Sequence, residues 1–101
     1  MKLTVAAKVL RQIDEQLLFI ANHSITNALA WEVRLRGAMD RIPASTVHSL
    51  DHDASTRVGY SVYKLLFERT YYVHYVIDPT ESLIEIVSFR HGARMPGPDE
   101  P

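Results

Sequence analysis

Hydrophobic positions along the chain change period twice, and the changes mark its elements. MKLTV at the start alternates briefly and reads as a short strand. Over residues 6–22 the period lengthens: Leu10, Ile13, Leu17 and Ile20 recur at spacings of three and four, with Val9, Leu18 and Ala21 widening the stripe. Arg11, Gln12, Asp14, Glu15 and Gln16 take the other side, so the segment predicts an amphipathic helix. NHSIT supplies cap and turn residues, with Ser24 or Thr26 as the next N-cap. A second helix is predicted over residues 26–41, with Ala28, Trp31, Leu35, Ala38 and Ile42 as its apolar stripe and Pro43 as its stop. So short a link between two helices predicts an antiparallel hairpin.

Residues 43–58 carry no period and read as a loop. Beyond them the period falls to two, over residues 60–67, 71–77 and 83–90, rich in aromatic and β-branched side chains. The links ERT and DPTES are short enough for hairpins, which makes the three strands an antiparallel meander. Val73, Tyr75 and Ile77 line one face of it, and the helical hairpin is the available cover. The predicted fold class is therefore α+β, in the order β-α-α-β-β-β, with MKLTV as an edge strand.

Composition narrows this only modestly. A chain of 101 residues, 47% hydrophobic and 23% charged, fits one folded domain, placed at residues 1–95 with a frayed acidic tail at 96–101. No apolar run approaches the ~20 residues that span a bilayer, and charges return too early in the first helix for a signal peptide. A cytoplasmic protein is expected. The absence of cysteine excludes disulfides, thiol catalysis and cysteine-held zinc. A net charge of −1 argues against an overall nucleic-acid-binding balance, although basic groups gather locally near the C-terminal end.

That gathering is the candidate chemistry. The third strand ends in SFRHGAR, placing Arg90, His91 and Arg94 together. A histidine titrates near working pH, and arginines are planar donors suited to phosphate or carboxylate. Arg90 and His91 are neighbours on a strand, so they start toward opposite faces; only a bulge or the strand's end, eased by Gly92, brings both to one phosphate. The simplest reading of His91 is a solvated strand-end residue; binding and catalysis are the functional ones. His74 shares a face with Tyr72 and is expected within a packed or half-exposed sheet face. His48 and His52, four apart in HSLDHD, have metal-ligand spacing only on a helix, and no metal is expected there.

The element order, TYYVHYVID and IEIVSFRHGAR together resemble the RelE/ParE superfamily, the toxins of type II toxin–antitoxin systems. The resemblance spans residues 1 to about 95, with AWEVRLRGAMDRIP matching more loosely. It implies a partner antitoxin, no cofactor, no membrane, and one of two targets. RelE-like members cleave messenger RNA in the ribosome, which here would engage His91, Arg90 and Arg94 as catalytic residues. ParE-like members inhibit DNA gyrase without catalysis. Two departures favour the second: Tyr72 stands where RelE-like sequences commonly place an arginine, and no aromatic residue follows Phe89. Tyr60, Tyr63, Tyr71, Tyr72, Arg90, His91 and Arg94 are the expected target- or antitoxin-binding residues, along the edge of residues 60–67 or the cleft beside the first helix. A degenerate member that only pairs with an antitoxin is the third alternative.

Overall fold

A computed structural model describes residues 1–97 and 100–101. Among the described residues the fold is α+β, with three helices and a five-stranded mixed sheet. Strand β1 (Lys2–Val5) is followed by helices α1 (Ala7–Ala21) and α2 (Ile25–Asp40) and a 3-10 turn at Ile42–Ala44. Then come β2 (Ser49–Leu50), helix α3 (His52–Val58), β3 (Tyr63–Phe67), β4 (Tyr71–Asp78) and β5 (Leu83–His91). The sheet order is β1-β5-β4-β3-β2. The expected meander β3-β4-β5 is antiparallel, and β1 pairs parallel to β5, with Lys2 opposite Leu83 and Val5 opposite Ile86.

Two expectations are corrected. The first strand of the meander begins at Tyr63, not at residue 60, because Gly59 closes α3 in a left-handed conformation (φ 84°) and Tyr60–Ser61 lead out of it. Residues 43–58 are not a plain loop. Asp51 caps α3 by accepting from the Ala54 N–H at 3.0 Å, Asp53 sits in the first turn and Arg57 in the last, each favourable to the helix dipole. Seven residues are too few to show a period, but cap and stop were both present in the chain as Asp51 and Gly59. Of the tail, Pro98 and Asp99 lie outside the described residues; Glu100 approaches Lys8 to 3.7 Å, and Arg57 donates to the Pro101 carbonyl.

The helical hairpin covers one face of the sheet. Ser24 is the α2 cap, accepting from the Asn27 N–H at 3.1 Å. Trp31 of α2 sits at the centre of the core, edge-on to Phe67, Tyr71 and Phe89 with ring centroids 6.3, 5.5 and 6.0 Å away. Val9 and Ile13 of α1 and Leu35 and Met39 of α2 fill the space over Val73, Tyr75, Ile84 and Ile86. The opposite face is covered in part by α3, which buries Ala54 and the neighbouring Val62.

One irregularity decides where the C-terminal side chains point. Ile86 stands opposite Tyr75 and Ser88 opposite His74, so Val87 is an extra residue in β5. Before it, Ile84 and Ile86 face the helices; after it the parity is reset, and Phe89 and His91 face them while Ser88 and Arg90 point away. Without the bulge, Phe89 would leave the core and Arg90 would enter it.

Candidate functional site

Strand β1 covers the outer edge of β5 only as far as Ile86. Beyond that point α1 takes over: Gln12 Oε1 accepts from the Phe89 N–H at 3.0 Å, and Gln16 Nε2 donates to the Tyr71 hydroxyl at 3.0 Å. Between this part of α1 and the end of β5 lies an open cleft of about 610 Å³. Glu15, Phe19, Arg90, His91, Arg94 and Met95 line it, with Glu100 at its margin. The cleft beside the first helix, expected as a partner surface, is thus where the structure brings the Arg-His-Gly-Ala-Arg end.

Within the cleft the three expected residues behave differently. His91 packs edge-on against the Tyr71 ring at 5.5 Å. Its Nδ1 accepts from the Ala93 N–H at 3.0 Å, which leaves the proton of the neutral ring on Nε2. His91 is therefore a hydrogen-bond donor at that nitrogen. The Arg94 N–H donates to the His91 carbonyl at 3.0 Å, closing a turn that carries the Arg94 side chain to the cleft wall. Arg90, on the opposite face, lies with its guanidinium carbon 5.1 Å from the Tyr72 ring centroid and donates from Nη1 to the Arg94 carbonyl at 2.8 Å. The bulge lies upstream at Val87, so it does not bring Arg90 and His91 onto one face. Gly92 serves close approach: its N–H donates to the Thr70 carbonyl at 2.8 Å, and an added Cβ would stand 3.1 Å from that oxygen and 3.3 Å from the Tyr72 ring.

The tyrosines separate by burial. Tyr71, expected at a binding surface, is core: it stacks on Phe89 at 5.4 Å and 15°, and burial together with the Glu68 charge pushes its hydroxyl pKa upward. Tyr72 is half-buried, with its ring between Arg90 and His74 (5.7 Å). Tyr63 stacks on Tyr75 at 5.8 Å on the helix side, at the far end of the sheet from the cleft. Tyr60 is exposed, between α3 and β3. The expected seven residues thus do not form one surface.

His74, expected in a packed or half-exposed face, is fully buried beneath α3, and its Nε2 lies 2.9 Å from Asp51 Oδ2. Burial pushes its pKa down; Asp51 opposes this, and Arg90 and Arg57 reinforce it. For Asp51, burial acts upward, but the Ala54 N–H, His74 and Lys64 outweigh it and hold the carboxyl below its usual range. His48 bonds the Tyr75 hydroxyl at 2.8 Å and His52 lies exposed on α3, so the pair does not converge; among the described residues no cluster of metal-ligating groups occurs.

Compared with protein-family models, curated proteins and solved structures, the chain matches none. The resemblance drawn from its motifs accordingly rests on the quoted residues. Also among the described residues, no helix is long and apolar enough to cross a membrane.

Sequence reasoning missed the α1 half of the cleft. Gln12, Glu15, Gln16 and Phe19 were assigned to no site, yet their spacing of three and four marks a second stripe on the same helix. Phe19 on this stripe is a large apolar residue outside the core and exposed in the structure.

Proposed function

We propose that this chain is the toxin component of a toxin–antitoxin pair, acting in the cytoplasm through the cleft between α1 and the end of β5. A cognate antitoxin keeps it silent by occupying that cleft, and a protein such as DNA gyrase is its target. The observation that carries this reading is the mixed character of the cleft wall. Phe19 and Met95 are exposed apolar side chains beside Arg94 and the Nε2 donor of His91. Such a surface suits a partner segment with an apolar anchor and a carboxylate. The divergence of Arg90 weighs against a phosphate-centred reaction, since its guanidinium stacks on Tyr72 instead of joining His91.

A second reading has its own observation. Glu15 lines the same cleft as His91 and Arg94. In RNA cleavage its carboxylate would take the ribose 2′-hydroxyl proton as the 2′-oxygen bonds to phosphorus. His91, first protonated at Nδ1 to the imidazolium with loss of the Ala93 contact, would give its Nε2 proton to the leaving 5′-oxygen, with Arg94 on the phosphate.

Expression without an antitoxin separates these. Under the first reading growth stops, messages stay intact and DNA damage signalling rises; Phe19→Glu or Arg94→Ala restores growth, and Glu15→Gln does not. Message cuts that vanish with Glu15→Gln would overturn the first reading in favour of the second. Undisturbed growth would leave only a partner-binding role.

A further inference from the structure

We propose that the Asp51–His74 pair is an acid-released latch that holds α3 against the outer face of the sheet. Asp51 has two tasks at once. One carboxylate oxygen caps α3 through the Ala54 N–H at 3.0 Å, and the other accepts from His74 Nε2 at 2.9 Å. A side chain in the middle of β4 is thereby joined to the first turn of a helix only seven residues long, too short to be stable unaided. Further ties are the Asp51 N–H to the Val62 carbonyl at 2.8 Å, the two bonds of the Ser55 hydroxyl with Val62, and the bond from Arg57 to the Pro101 carbonyl.

The other ring nitrogen is what makes the latch sensitive to acid. With its proton on Nε2, His74 keeps Nδ1 as a bare acceptor, and that atom is buried without a hydrogen-bond partner among the described residues. Ser88, its cross-strand neighbour, is equally buried, and its hydroxyl is also unpartnered. Proton uptake at Nδ1 converts an idle acceptor into a buried N–H and adds a positive charge. Every element around the ring bears on that charge. Asp51 attracts it; Arg57 on α3 and Arg90 on β5 repel it; Lys64 of β3 stands opposite His74 in the ladder; and Tyr72 presents a ring face. Burial and the two guanidiniums outweigh the one carboxylate, so the ring gains by reaching water. Water is reached when α3 lifts, which uncovers the buried Ala54, Val62 and Ser88.

The test is amide exchange on the full chain, corrected for intrinsic rates, alongside NMR titration of the five histidine rings. Between about pH 7.5 and pH 5 the protection of the Ala54, Ser55 and Gly59 amides should fall at least about tenfold, while that of Val73 and Phe89 holds. The fall should begin near pH 6.5, the ordinary histidine value, and level off where the His74 ring itself titrates. Unchanged protection at α3, or equal loss in the core strands, overturns the proposal. His52→Gln, an exposed change on α3 itself, should leave the response intact; its disappearance there would assign the effect to the wrong histidine. His74→Gln keeps a donor toward Asp51 without titrating, and should abolish the acid response.

Discussion

Tyr71 follows Thr70 in a run of aromatic residues and was expected at a binding surface, although it shares its parity with Val73, Tyr75 and Ile77, the helix-facing side. Its ring is held by Trp31 and Phe89, and its hydroxyl by Gln16. Tyr71→Phe should cost about 1 kcal/mol, the net value of one part-buried hydrogen bond, and Tyr71→Ala about 3–5 kcal/mol, both read from urea denaturation. If Tyr71→Ala were as stable as the parent, the packing described for this ring would be wrong. Legibility at this scale depends on parity. Alternation alone separates Tyr71 from Tyr72, but no local pattern announces that Asp51 reaches His74, because the two are 23 residues apart and joined through space.

Among the elements, the hairpins show best what a chain reveals before folding. The spacing of polar links placed both of them, and the helical pair was readable from its 3.6-residue period. Three features escaped. α3 was too short for periodicity, β2 has only two residues, and the Val87 bulge breaks alternation at a single point inside an otherwise regular strand. The β3–β4 turn carries a further consequence. Glu68 and Arg69, the central residues of the turn closed by the Thr70 N–H on the Phe67 carbonyl at 3.0 Å, both adopt left-handed backbone (φ 52° and 57°), which a side chain resists. Arg34 contributes to holding it, its Nε lying 2.6 Å from the Glu68 carboxylate at the surface. Arg69→Gly, which leaves that pair alone, should raise stability by up to about 1 kcal/mol. A thermal midpoint below the parent's would refute the account of this turn.

For the molecule as a whole, the two pKa shifts on the outer face give stability a direction with pH. His74 is held below its ordinary value of about 6.5, so the folded state binds a proton less readily there than the unfolded chain does. Its contribution is complete above that value and declines as the pH falls below it. Asp51, held below the usual carboxylate range, adds a second loss at lower pH still. The denaturant midpoint should therefore be lower at about pH 5 than at about pH 7, and a midpoint that rises would contradict the burial assigned to His74.

The parallel pairing of β1 with β5 also fixes an order of events. Residue 2 meets residue 83, and the cleft is walled by the first helix on one side and the last strand on the other. During synthesis neither wall has its counterpart until the final strand has left the ribosome, so a prematurely terminated product lacks the surface altogether. Whatever this protein does through that surface, it does only once β5 has been made, and chains that stop before β5 should be inert toward any ligand of the cleft.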